Sequence, residues 1–509
     1  MRLIRERLPL PENIRALVYV LAVALPVFWV ASRLMQPIVE RREFALWRNA
    51  WIVTTVAAFL LPDFLLFAFC LGLLSLYLHR QRIDCTYLYL VLVLAAPAVN
   101  IDVGLFGIIN KIVDLTPARV LALAFLLPSA LVLFRRGPMQ FDVVDKLVLV
   151  YILLLVALSA RVENLNHVGR MSVVLILDIA LPYFVFSRAF RKSGEIKKAA
   201  AALVVGTLPF AATGVFEIAR GWRVYNSIVE HWGVYLAVPY LFRDGLLRAS
   251  VTSIEAIAFG VACMVGIGCL LALRDSRRTA PWWAAGLGII VSGLLASISR
   301  GPWVGAMLLA IIFTVTARRG LSNLTRTFAG FMLVLPALLA TSFGDRLYRL
   351  LPFIGSVERS NEEYRHRLYE ISLTLIGRFP YFGSPSYLLE PDMQQLIQGQ
   401  GMIDVVSAYL GIALEYGLVT LLVFLLVASG VGFQLLRTLA QRSADDILVR
   451  AMLATLVALL FTFCTVSSVS VIPTLYWSIT GLSLGLCRAI AQVKCQQAGP
   501  EMKVVGGWR

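Results

Sequence analysis

Three groups of arginines stand where phosphate chemistry would need them. Arg243-Asp244-Gly245-Leu246-Leu247-Arg248-Ala249-Ser250 leads into an apolar run that carries Glu255 in its first turn. Ser297-Ile298-Ser299-Arg300-Gly301-Pro302-Trp303 forms a tight turn between two long apolar runs. The polar stretch 342–416 carries Arg346, Arg349, Arg359, Arg365, Arg367 and Arg378. A guanidinium stays charged, and its planar fork grips oxygens in pairs, so it suits a lipid-linked pyrophosphate at a membrane edge. The competing reading of each arginine is a side chain that lays its stem along apolar surface and places its charge among headgroups. Arg300 is the most constrained of them: the turn is short, Gly301 permits close approach, and Pro302 starts the next helix.

The elements that must position these residues are transmembrane helices. Of the 509 residues 59% are hydrophobic and 15% charged, against about a quarter charged in a soluble chain. A span needs about 20 mostly apolar residues. Such runs fall near 14–34, 44–61, 64–79, 86–100, 118–134, 144–160, 171–188, 198–217, 252–273, 282–297, 301–317, 327–341, 417–436, 449–469 and 473–489. The expected fold is therefore all-α: a single polytopic domain over 1–509, a bundle of about 12–15 helices with a large loop at 342–416. Basic clusters at 79–82, 135–146, 188–198, 274–278, 318–326, 437–450 and 488–494 alternate with the other connections. Placing them in the cytoplasm puts 218–251, 297–303 and 342–416 outside. Only the N-terminus resists. With 15 helices Arg2, Arg5 and Arg7 would lie outside, which favours one fused helix over 50–78 or a first run that does not span.

The net charge of +16 comes from these short clusters. No basic domain stands apart from the apolar runs, so nucleic acid is not an expected partner; membrane lipid is. Seven cysteines, none in a CxxC pair, read as small apolar residues rather than as a disulfide framework or metal site. No cleavable signal peptide and no internal repeat is evident. Asp178, in the middle of an apolar run, reads as the partner of an arginine, as a cavity residue or as a structural bond between helices. Asp102, Lys111 and Asp114 read as an ordinary outer loop.

Ser297-Ile298-Ser299-Arg300-Gly301 opening a helix resembles the Ser-Arg-Gly turn of the O-antigen ligase and O-antigen polymerase family. Arg367-Leu368-Tyr369-Glu370, followed by Gly377-Arg378-Phe379-Pro380-Tyr381-Phe382-Gly383, resembles that family's periplasmic loop. Asp404 to Leu410, followed by Leu414-Glu415-Tyr416-Gly417-Leu418, is similar to the stretch after it. The resemblance covers about residues 245–437. One departure matters: family ligases place a histidine where this chain has Asp404 or Val405. The four histidines are His79, His167, His231 and His366, and only His366 lies in the large loop.

The resemblance implies a GT-C-like membrane glycosyltransferase of the bacterial inner membrane. It would polymerise or transfer an undecaprenyl-pyrophosphate-linked glycan, an exopolysaccharide or O-antigen, on the periplasmic face. It would need no cofactor and no metal, and would work with or without other polysaccharide assembly proteins. Arg248, Arg300, Arg365 and Arg367 are then the expected pyrophosphate ligands, since cations can neutralise a departing pyrophosphate. Asp404, Glu370, Glu415 and His366 are the candidates for a general base. Asp404 leads by position, and its plainer reading is a helix N-cap. Tyr409 and Tyr416 read equally as interface aromatics. The departure from histidine favours a polymerase over a ligase that attaches glycan to lipid A–core. The rivals of another kind are a transporter of an anionic or small solute and a non-catalytic export subunit. A transporter would place its charges at midplane helix breaks in two related halves.

Overall fold

The computed structural model describes residues 11–81, 83–105, 109–136, 141–161, 165–234, 240–243, 245–274, 279–318, 322, 359–397, 403–441 and 445–497. Apart from two small antiparallel hairpins, at 101–115 and 242–247, the described chain is helical. Five helices are long and apolar enough to cross a membrane: Glu12–Met35, Pro117–Arg135, Asn166–Phe186, Ser193–Arg220 and Ala408–Ala440. Four shorter apolar helices stand beside them, Phe64–Arg80, Ala256–Ala272, Ala280–Ala296 and Arg300–Val315. The chain is an all-α polytopic membrane protein.

The bundle is built around Ser193–Arg220, whose apolar stretch is 83% buried. A helix surrounded by others must be apolar on every side, and its run from Ala199 to Gly206 has no charge and no bulky aromatic. Glu12–Met35, Thr86–Leu92, Ala256–Ala272 and Ala280–Ala296 pack on it. With lipid tails as apolar as leucine, close backbone approach at small residues holds such helices together. At Gly206 a Cβ would lie 2.4 Å from the Val91 carbonyl oxygen.

Contacts sort the helix ends into two faces. On one, Arg488 reaches Asp142 (2.8 Å) and Asp145, Arg188 reaches Asp145 (2.7 Å), and Lys198 reaches Glu43 (2.6 Å). These are the basic clusters of the sequence. On the other, Trp222 donates to Glu12 (2.9 Å), Trp232 to the Leu61 carbonyl (3.1 Å), and Arg161 to the carbonyls of Gly383 (3.0 Å) and Glu415 (2.9 Å). The described part of the 342–416 stretch lies on this second, loop face, at the opposite end of the Ala408–Ala440 helix from Arg437.

Several expectations are corrected. Residues 50–78 are not one helix: Arg41–Leu60 and Phe64–Arg80 are separate, with Asp63 capping the second through Leu65 N at 2.5 Å. Nor does the first run fall short of a span, because Glu12–Met35 is 24 residues long and starts on the loop face beside Trp222. Arg2, Arg5 and Arg7 lie outside the described residues, as do Arg346, Arg349 and the expected helix at 327–341. The run 86–100 is also not a full span. It is helical only over Thr86–Leu92, and it ends where Thr252 Oγ1 donates to the Leu94 carbonyl (2.8 Å). Asp102 and Asp114 sit on the first hairpin rather than in an irregular loop.

Ala408–Ala440 spans 33 residues, about 50 Å at 1.5 Å per residue, too long for one straight crossing of a 30 Å core. It breaks at Gly417, whose φ of 82° and ψ of 173° are not helical. The break is stitched to the loop before it. Ser384 N donates to the Leu414 carbonyl (2.8 Å), Leu418 N to that of Pro380 (2.8 Å) and Val419 N to that of Tyr381 (3.2 Å). The Pro380-Tyr381-Phe382-Gly383 segment therefore supplies partners for the backbone groups that the break releases.

Candidate active site

The Arg243–Glu255 segment and the Ser297–Arg300 turn meet on the loop face. Arg248 Nη2 donates to Ser299 Oγ (2.8 Å), and Arg243 Nη1 to the Ile298 carbonyl (3.0 Å). Ala249 N donates to the Ala296 carbonyl (3.1 Å). The Arg248 guanidinium thus touches the residue just before Arg300. Gly301 allows this turn to press on the connection after Asp446–Thr462: a Cβ there would sit 2.9 Å from Thr465 Oγ1.

Among the described residues, four that are not glycine have positive φ: Val251 (50°), Ile254 (64°), Ile298 (45°) and Ser470 (57°). All four belong to this junction, since Ser470 Oγ donates to the Ser253 carbonyl (2.7 Å). Such backbone costs of order 1–3 kcal/mol per residue and persists only where its surroundings over-determine it. Glu217 is one such determinant. It is fully buried and accepts from Val224 N (3.1 Å), Ser250 N (3.1 Å) and Val251 N (3.0 Å). Arg223, 2% exposed, donates to the Ile254 carbonyl (2.9 Å). Neither residue was singled out from sequence. Glu217→Gln removes one acceptor oxygen from three N–H donors and places an amide NH2 against them. Each buried donor left unsatisfied costs about 1–3 kcal/mol. A clear fall in the thermal unfolding midpoint of the purified protein is the expected result.

Carboxylates stand next to the arginines. Glu255 is the N-cap of Ala256–Ala272. Burial raises its pKa, the nearby Asp404 charge raises it further, and Arg223 and Arg248 oppose. Asp404, exposed by its surface area, is in turn shifted above the usual aspartate range by partial desolvation against its neighbours, against the pull of Arg365. Electrostatically the order is Arg248, Glu255, Asp404, Arg365. Asp404 is held from the backbone by Tyr364, whose hydroxyl donates to its carbonyl (3.0 Å) and accepts from its N–H (3.1 Å). It is not a helix cap: Ser407 caps Ala408–Ala440 by accepting from Leu410 N.

Asp404 also lines a cavity of about 530 Å³ that opens beside the junction. Glu415, Tyr416, Asp178, Tyr476 and Trp477 line it as well. Asp178 joins its sequence readings in one place. It lines the cavity, and Arg119 holds it with Nε at 3.0 and 3.1 Å and Nη2 at 2.7 Å. It sits in a π-helical turn, Ile176–Ala180, opposite a second at Ala122–Leu126; such turns are frequent at functional sites.

The other expected residues fall elsewhere. His366 and Glu370 pair with each other at 3.4 Å on Arg359–Arg378, 76% and 66% exposed, and the cavity wall does not include them. Arg367 is exposed on the same helix. Arg378 pairs with Asp392 at 2.9 Å. Arg248 thus meets the turn that carries Arg300, and Asp404 feels the charge of Arg365, which like His366, Arg367 and Glu370 is exposed on Arg359–Arg378. Tyr409 is no interface aromatic: its hydroxyl donates to the Leu460 carbonyl between two helices.

The loop face of this polytopic helical bundle thus gathers arginines and raised carboxylates close to one junction. Residues 285–425 match the family described as O-antigen ligase. That segment runs from within Ala280–Ala296 to just past the Gly417 break, and its match supports a membrane function of the O-antigen ligase or polymerase type. No curated protein matches the chain.

Proposed function

We propose that the protein polymerises a surface polysaccharide carried on undecaprenyl pyrophosphate, with its loop face toward the periplasm. The observation that carries this reading is the meeting of Arg248 with the Ser299–Arg300 turn, close to Glu255, which feels both Arg248 and the Asp404 of the cavity wall. The arginines would hold the pyrophosphate. An acceptor hydroxyl oxygen would form a bond to the donor's anomeric carbon as the bond from that carbon to the pyrophosphate breaks. The electron pair leaves with the pyrophosphate, where arginine charge stabilises it, and Asp404 takes the hydroxyl proton. Polymerase is preferred to ligase because an aspartate, not a histidine, stands at this place in the loop. Deleting the gene tests the assignment. Loss of long chains, with single repeats still attached to lipid A–core, is the polymerase result. Long chains left on the carrier lipid would mean ligase instead.

The raised pKa of Asp404 gives this mechanism a pH signature. A base must be ionised, and partial desolvation favours the protonated form. The acidic limb of the rate profile, measured in proteoliposomes, should therefore lie above the ordinary aspartate value of about 3.9. Asp404→Asn should be nearly inactive across the range. Since Asp404 does not cap a helix, near-wild-type turnover in that variant would remove it as the base.

A further inference from the structure

We propose that the Phe379-Pro380-Tyr381-Phe382 segment is a membrane anchor, seated among the lipids of the leaflet on the loop face. The inference goes beyond the reaction assigned to the site and does not depend on it. The segment carries no charge, and its aromatic side chains have little protein over them. Phe379 is 43% exposed, Tyr381 69% and Phe382 51%. Large rings left uncovered side by side mark an interaction surface.

What covers them follows from their height above the basic face, which two helices measure. From Arg437, at the basic end of Ala408–Ala440, the helix rises about 30 Å to the break at Gly417, at 1.5 Å per residue. Leu418 N, next to the break, donates to the Pro380 carbonyl (2.8 Å). The helix Val143–Ser159 rises about 25 Å by the same measure. It starts at Asp142, which Arg488 binds on the basic face, and Arg161 just past its far end donates to the Gly383 carbonyl (3.0 Å). Both helices put the segment's backbone within about 30 Å of the basic face, and tilt only lowers it. The hydrocarbon core is itself about 30 Å thick. The segment therefore sits at the far boundary of that core, where headgroups meet acyl chains.

Continuity with the lipid-facing surface points the same way. Leu418, Leu422, Leu426, Phe433 and Leu436 are exposed, and at 3.6 residues per turn they form one stripe along the membrane span. The segment is bonded to the top of that stripe, through Leu418 N and Val419 N. Tyrosine suits this depth, with an apolar ring for the acyl chains and a hydroxyl for the headgroups. Anchoring would also fix the cavity wall at headgroup level, because Arg161 ties Gly383 to Glu415 and Ser384 N holds the Leu414 carbonyl.

The test is photo-crosslinking of the full-length protein in vesicles of equal parts phosphatidylethanolamine and phosphatidylglycerol. The photoreactive residue p-benzoylphenylalanine replaces Tyr381, Phe382 or, as reference, Glu363, an exposed residue toward the far end of Arg359–Arg378. All three side chains are exposed, and the segment's bonds to the helix break use backbone atoms, so each variant should extract like the wild type. Mass spectrometry reads the lipid adducts. The expected yield from position 381 and from position 382 is several times that from 363. A yield from either no higher than that from 363 overturns the proposal. So does crosslinking of either position to a second copy of the chain, seen as a doubled mass, in place of lipid. The polymerase reading fails separately, through the polysaccharide of the deletion strain.

Discussion

Arg300→Lys should cut polymer formation by roughly 10²–10³, the loss that follows removal of one preorganised donor to a developing anion, about 2.7–4 kcal/mol. Lysine keeps the charge but not the two-pronged geometry. The size of the effect follows from how Arg300 is held. It is the first residue of its helix, directly after Ser299, and Ser299 accepts from Arg248. Arg243 holds the carbonyl of Ile298, whose φ is 45°. A guanidinium set on so fixed a backbone loses little freedom when it grips phosphate, so its binding energy goes into the transition state. Polysaccharide chain length in a deletion strain, complemented at matched expression, reads the effect. Wild-type chains from both Arg300→Lys and Arg300→Ala would remove this residue from the mechanism. Arg367→Ala, on the exposed face of its helix, should change chain length little.

Gly417→Ala should be as severe by a different route, through loss of folded protein. The backbone there, at φ 82° and ψ 173°, lies in a region that only glycine occupies readily. An added Cβ would also fall 2.2 Å from the Tyr381 carbonyl oxygen and 2.5 Å from Phe382 Cα. These are backbone atoms that no side-chain rotation can move. Relieving the overlap means pulling the 380–384 segment away and giving up its bonds to Leu414, Leu418 and Val419. Glu415 and Tyr416, on the cavity wall, would move with it. Little monodisperse protein from detergent extraction is the expected outcome. Gly432→Ala, in the same helix with open space at its Cβ, is the control and should extract normally. Normal yield and activity of Gly417→Ala would show that the break is not needed.

Much of this was legible in sequence because it depends on local quantities. Apolar run length gave the helices, and basic clusters at alternate connections gave the two faces. Legibility failed where length was a poor guide. The run 86–100 is apolar throughout, yet it is helical only to Leu92 and then turns to meet Thr252, a contact between residues far apart in the chain. Pro62 and Asp63 looked too slight to separate two helices, yet Asp63 caps one of them.

The sequence by itself determined that this chain lives in a membrane, which end of its helices bears the long loop, and that arginines and carboxylates collect there. A hydrophobic run and a cluster of charge need only their own neighbours to be recognised. The tertiary structure alone decided which of those residues share a site. It brought Arg248 to Ser299 across 51 positions, set Asp404 between Glu255 and Arg365, and turned His366 and Glu370 outward. It also recruited Glu217 and Arg223, which nothing local in the sequence singles out, to hold the strained junction. It completed the cavity with Asp178, Tyr476 and Trp477, all beyond the 285–425 family segment. Which face of a helix turns inward, and what stands across from it, depends on packing between distant segments, and no local pattern of residues encodes that.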